Sequence, residues 1–128
     1  MEKPDALRHF RGKPRYNCAQ AVLKAYGPSI GLGDGCVEQF SHYGSGRAPG
    51  GECGALFAAK SFFHNTDAKQ QIEIEFVQAA GSRKCREIRQ RRTFTCEQCV
   101  QKAADAVFVR LGDDHALQHP AECCCYSS

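Results

Sequence analysis

A chain of 128 residues with a formal charge of +3 and ordinary apolar content is sized for one domain with a modest core, spanning 1–128. No apolar run approaches membrane-spanning length, so no membrane partner is expected. The charge is too small to imply nucleic acid by itself, and the N-terminal MEKPDALRHFRGKPR lacks the apolar stretch of a secretory signal, which points to the cytoplasm.

The elements read as helices divided by glycine-marked turns. A first helix runs from about Asn17, a good cap, to Tyr26, where Gly27 and Pro28 end it. Its apolar positions Cys18, Ala21, Val22 and Ala25 recur at helical spacing. A short helix is expected around Cys36 to His42, followed by the glycine-rich loop YGSGRAPGG, Tyr43 to Gly51. A third helix starts near Glu52 and carries Cys53, Leu56, Phe57 and Phe63. Asn65 to Asp67 restart the chain into a fourth, with Ile72, Phe76, Val77 and Ala80 on one face. Gly81 and Ser82 break or kink it before RKCREIRQRR. Thr95 and Gln98 form a capping-box pair. They open a fifth helix, striped with Val100, Ala103, Ala104, Val107, Phe108 and Leu111. The tail, about 116–128, is expected to be irregular. No segment reads as a strand, so the fold class is an all-α bundle of about five helices.

Nine cysteines is an unusual and odd number, near the density of secreted disulfide scaffolds. Without an export signal, such thiols more often serve metal or redox chemistry. Their plainer use is as small core residues. Cys18, Cys53, Cys85 and Cys96 each follow a cap or breaker by one to four residues. Each lies on or beside the apolar face of its helix. A thiolate in a first helical turn gains from unpaired backbone N–H groups and the helix dipole, which lowers its pKa. With helices one, three and five parallel, Cys18, Cys53 and Cys96 fall at one end of the bundle. Cys85 follows the end of helix four by a short stretch and joins them. Four converging thiols suit an iron–sulfur cluster or another metal, because thiolates are soft ligands. They equally suit two dithiol pairs exchanging electrons. Spacing leaves both open, and the bacterial ferredoxin spacing is absent.

Four stretches, NCAQAVLKAYG, GGECGALFAAK, FVQAAGSRKCREI and TCEQCVQKAADAV, resemble the redox proteins of the C_GCAxxG_C_C family. That family's pattern is one cysteine, then CGAxxG, then two more cysteines. The resemblance runs from about 16 to 108 and implies that Cys18, Cys53, Cys85 and Cys96 are the four family cysteines. Cys96 is preferred over Cys99 because the family's last cysteine precedes a valine by four positions, here Val100. The final glycine of CGAxxG is Ala58 in this chain. A related domain occurs in split-Soret cytochromes beside haem and an iron–sulfur centre. Cys96 and Cys99 are followed by Val100 rather than histidine, so c-type haem is not expected.

Other signals carry less. Cys96, Cys99, His115 and His119 match a zinc-finger spacing with fifteen residues between the pairs. The intervening helical stripe would, however, hold the pairs roughly 24 Å apart. Cys96 and Cys99 form a CxxC at a helix start, without the βαβ context of thioredoxin-like sites. GLGDG, Gly31 to Gly35, has no preceding strand and reads as a turn. GSGRAPGG lets the backbone approach the Cys53 site, or admits an anion to the following helix. The run RKCREIRQRR has six basic residues and one acid. A solvated face is its commoner use and a nucleic-acid patch the sharper one; Arg83, Lys84 and Arg86 would also favour a thiolate at Cys85. The tail thiols Cys123, Cys124 and Cys125 suit soft-metal binding or oxidation, or are incidental to a disordered tail. None of the five histidines, His9, His42, His64, His115 and His119, sits in a recognisable triad motif.

The reading that follows is a small redox protein whose site is Cys18, Cys53, Cys85 and Cys96, holding an iron–sulfur cluster or metal and passing electrons to a redox partner protein. The alternative is thiol–disulfide exchange, with Cys53 attacking and Cys85 or Cys96 as its partner. The third is a helical interaction module. A homo-oligomer, and the roles of Cys36 and Cys99, are left open.

Overall fold

The computed structural model describes residues 16–31, 34–43, 49–92 and 94–112. Among them are six α-helices and no strand. They are α1 Cys18–Tyr26, α2 Asp34–Gln39, α3 Gly54–Ser61, α4 Thr66–Ala80, α5 Cys85–Arg91 and α6 Cys96–Gly112. Short 3-10 turns occupy Gly27–Ile30, Phe40–Tyr43 and Pro49–Gly51. The all-α expectation holds, with one helix more than the sequence suggests. Gly81 takes a left-handed conformation (φ 91°) and ends α4, so the basic run becomes a separate helix. The histidines His9, His115 and His119, the tail and much of the loop YGSGRAPGG lie outside the described residues.

Local chemistry sets the helix starts. The Asn17 side chain accepts from the Gln20 amide at 2.8 Å, while Gln20 accepts from the Asn17 amide at 3.0 Å, a reciprocal cap. Asn17 Nδ2 also donates to the Ser41 carbonyl at 3.1 Å, tying α1 to the turn after α2. Asn65 caps α4. Thr95 and Gln98 exchange hydrogen bonds at 2.8 and 3.1 Å ahead of α6, as their spacing predicts. The third helix begins later than expected, after Cys53. Glu52 is held extended by an antiparallel bridge with Lys84, and Cys53 itself is non-helical (φ −58°, ψ 129°).

One apolar core joins the helices. α3 packs against α1, α4 and α6, and α6 also meets α1 and α4. Leu23, Leu56, Phe62, Ile72, Phe76 and Val107 are fully buried, each contributing about 1.5–3 kcal/mol. Alanines 19, 55, 58, 59, 103 and 104 are buried among them and let the helices approach closely. Ala58 is wholly buried, so the core accommodates a methyl where the resembling family has glycine. Tyr26 donates its hydroxyl to the Ala104 carbonyl at 2.7 Å, which meets the hydrogen-bonding need of a buried phenol. α5 adds only Ile88 to this core and otherwise lies at its margin. Among the described residues no helix is long and apolar enough to cross a membrane.

Candidate functional site

The starts of four helices meet. Cys18, Cys85 and Cys96 are the first residues of α1, α5 and α6, and Cys53 is the N-cap residue of α3. Main chain does the joining. The Cys53 amide donates to the Arg83 carbonyl at 2.8 Å, next to the Glu52–Lys84 bridge. Gly54 then permits the closest approach. A Cβ there would run into the Tyr43 carbonyl oxygen and lie 2.9 Å from Cys18 Sγ and 3.3 Å from Ala19 Cβ.

The four cysteines singled out by sequence are brought together, and a fifth joins them. Cys53 lies against both Cys18 and Cys99. Cys85 lies in the electrostatic field of Cys18, Cys96 and Arg89. Arg89 lies beside Cys85, Cys96 and Cys18. None of these five cysteines is in a disulfide. They form two tiers. Cys53 and Cys99 are buried, at 3% and 6% exposure, while Cys18, Cys85 and Cys96 are half-buried. Cys18 belongs to both tiers, touching Cys53 inside and sharing the field of Cys85 outside.

This arrangement overturns the expectation that the helix start activates Cys53. The interaction with Cys18 lowers its pKa, while the interaction with Cys99, burial and the charge of Cys99 all raise it, and the net result is a thiol pushed up to about 12. A helix-start donor is present in the Leu56 N–H, but its lowering is the smallest of these influences, and Cys53 makes no capping hydrogen bond. Cys53 is therefore a poor first attacker. Cys85 is also raised, by burial first and then by Cys18 and Cys96, against the lowering effect of a cation. That cation is Arg89, one turn along α5, rather than the Arg83, Lys84 and Arg86 that neighbour Cys85 in sequence.

Among the described residues, no three His, Cys, Asp or Glu side chains stand grouped so as to hold a metal ion. The thiols share one end of the bundle without forming such a group. The CxxC pair is likewise divided: Cys96 turns to Arg89 and Cys99 to Cys53. α6 runs unbroken from Cys96 to Gly112, as the argument against a zinc finger requires. Cys36 is fully buried and disulfide-bonded. Cys123, Cys124 and Cys125 lie outside the described residues.

Two participants escaped sequence reasoning. Cys99 was legible only as the second cysteine of CxxC, three residues past Cys96. Glu52, beside Cys53, is buried with its Oε1 on Lys60 Nζ at 2.8 Å. Lys60 also reaches Glu73 at 2.9 Å. Glu52 Oε2 has no hydrogen-bond partner among the described residues. Burial raises the Glu52 pKa against the lowering effect of Lys60. A cavity of about 310 Å³ opens between α3 and α4 beside this pair.

Compared with known proteins, the chain matches no family, no curated protein and no solved structure, so the resemblance carried by its four cysteine motifs rests on those motifs alone.

Proposed function

We propose that this is a dithiol redox protein that reduces, and in reverse forms, disulfides in a partner protein. The observation that carries the reading is the adjacency of Cys18, Cys53 and Cys99, three thiols in a row with the outermost half-buried. Exchange requires one accessible attacking thiol and one resolving thiol beside it. Cys18, in the field shared with Arg89, takes the first role, and Cys53 takes the second. As a thiolate, Cys18 attacks one sulfur of the partner's disulfide. The new bond joins Cys18 to that sulfur, the partner's S–S bond breaks, and its electron pair leaves on the other sulfur. Cys53 then gives its proton to the released thiolate and attacks Cys18. A Cys18–Cys53 disulfide forms and the second partner thiolate departs, to be protonated by water. Two electrons pass from the protein to the partner.

The test is one equivalent of diamide added to reduced protein, followed by mass-spectrometric mapping. Cys53 should be found bonded to Cys18 or Cys99. Recovery of Cys53 as a thiol while the other cysteines pair would sink the reading.

A second reading is an iron–sulfur cluster or other metal held by Cys18, Cys53, Cys85 and Cys96 and used for electron transfer. It is favoured by the meeting of four helix starts, whose N–H groups suit a negatively charged centre. Such a group would supply one-electron chemistry, and the thiols would have to close up around it. Protein purified without oxygen, assayed for iron, sulfide and visible absorption, distinguishes the two. Colour with bound iron would put this reading first. Colourless protein whose thiols are inert to diamide would leave the interaction module.

A further inference from the structure

We propose that the exposed basic face around α5 docks a protein partner that carries acidic side chains around its own disulfide. The inference rests on the dithiol reading and names the partner that reading requires. Arg83, Lys84, Arg86, Arg89, Arg91 and Arg92 are all exposed. The one carboxylate in the run, Glu87, is engaged by the Ser82 hydroxyl at 2.7 Å. Internal neutralisation is slight. Arg83 approaches Glu52 only at 4.0 Å, Arg91 is spent on the Gly81 carbonyl at 2.8 Å, and no ion pair among the described residues engages Arg86 or Arg92.

A solvated face needs no particular location, but this one has one. Cys85 is the first residue of α5, and the middle cation of the run, Arg89, lies beside Cys85, Cys96 and Cys18, so the basic face adjoins the half-buried tier of thiols. α5 contributes a single side chain to the core, so its remaining surface is open to a partner. The cations extend along a helix of roughly 10 Å and around its exposed sides, a broad surface suited to a protein face rather than a small molecule. Like-charged partners are repelled from such a rim, while acidic ones are steered to it. A nucleic acid would also be attracted, but it brings no reducible bond to thiols placed within the same face.

The experiment uses the reduced full chain and three disulfides: a cyclic cystine peptide flanked by aspartates, the same peptide flanked by lysines, and the neutral hydroxyethyl disulfide. At low salt the acidic peptide should be reduced about tenfold faster than the basic one, and about 0.5 M salt should erase the difference. In a variant carrying Arg86→Glu and Arg92→Glu, with helicity checked by circular dichroism, the order of the two peptides should reverse. Its rate on hydroxyethyl disulfide should stay within about twofold of the parent, since that substrate carries no charge. Equal rates on the two peptides, with the neutral disulfide still reduced, would overturn this inference and leave the dithiol reading standing. Equal peptide rates combined with tight binding of a DNA duplex, lost in the double variant, would give the face to nucleic acid instead. No reduction of any of the three would remove the dithiol reading and this inference with it.

Discussion

The amide of Cys53 donates to the carbonyl of Arg83 at 2.8 Å, and that bond sets the start of α3 against the approach to α5. It is a main-chain contact, reinforced by the neighbouring Glu52–Lys84 bridge. The positions of Cys53 and Cys85 are therefore held by backbone rather than by their sulfurs. Serine replacements at the thiols should remove chemistry while leaving the framework in place, which makes them clean probes of either proposed mechanism.

Gly54 is where that framework has no slack. Gly54→Ala would drive a methyl into the Tyr43 carbonyl oxygen and against Cys18 Sγ. We expect a loss of about 1–3 kcal/mol, in the range of an overpacked core, read as a lower urea midpoint. Diamide should also form the Cys18–Cys53 bond more slowly. An unchanged midpoint would show that the contact relaxes at little cost.

Alkaline pH should weaken the fold. Cys53 titrates at about 12 in the folded chain and near 8.5 when unfolded. Between those values the folded state holds a proton that the unfolded state has lost, so stability falls as pH rises. The contribution is complete below about 8.5 and declines by about 1.4 kcal/mol per pH unit above it. Tyr26, raised by burial and then by Asp105, acts in the same direction from about pH 10. Urea midpoints at pH 8, 9 and 10 should drop steadily, and Cys53→Ala should flatten the slope. A slope unchanged in that variant would contradict the raised thiol.

Lys60 shields Glu52. Lys60→Met would leave a buried carboxylate without its nearest cation, at an expected cost of about 2–3 kcal/mol at pH 7.5. Glu52 is already raised by burial and would rise further. A raised carboxyl stabilises below its unfolded pKa and loses that contribution as pH climbs through the folded value. The deficit should therefore shrink toward pH 5, and Glu52→Gln in the same background should restore much of the midpoint. A deficit equal at both pH values would point to lost packing instead of charge.

Arg89 is the cation of the outer tier. Arg89→Gln should slow alkylation of Cys85 by a few-fold at neutral pH, because a nearby positive charge favours thiolate. Cys99, buried on the inner side, should react as in the parent. Peptide-resolved iodoacetamide kinetics measure both in one sample. Equal rates in parent and variant would detach Arg89 from the thiols.

Local features were legible in the sequence. The Asn17 cap, the restart at Asn65, the Thr95–Gln98 box and the break at Gly81 each depend on residues within one turn of each other, and each is found. The gathering of thiols followed from alternating helix direction and the positions of cysteines at helix starts. What lay hidden was set by packing between distant segments. Nothing near Cys53 in sequence reveals that Cys99 will face it or that burial will outweigh the Leu56 N–H. Likewise, the cation beside Cys85 is the one a helical turn away because α5 is a helix of its own. The motif departs from the resembling family at Ala58, yet the crowding falls on Gly54, whose neighbours are Tyr43 and the start of α1.

The division of Cys96 and Cys99 between different neighbours also makes their pairing a record of history. In an unfolded chain, loop closure favours the short ring from Cys96 to Cys99 over the long one from Cys53 to Cys99, so for Cys99 an oxidant arriving early would choose Cys96. Once α6 has docked, Cys99 faces Cys53 from the other half of the chain. The disulfide found on a given molecule thus reports whether oxidation came before or after the bundle closed, and a preparation can be graded by the ratio of the two.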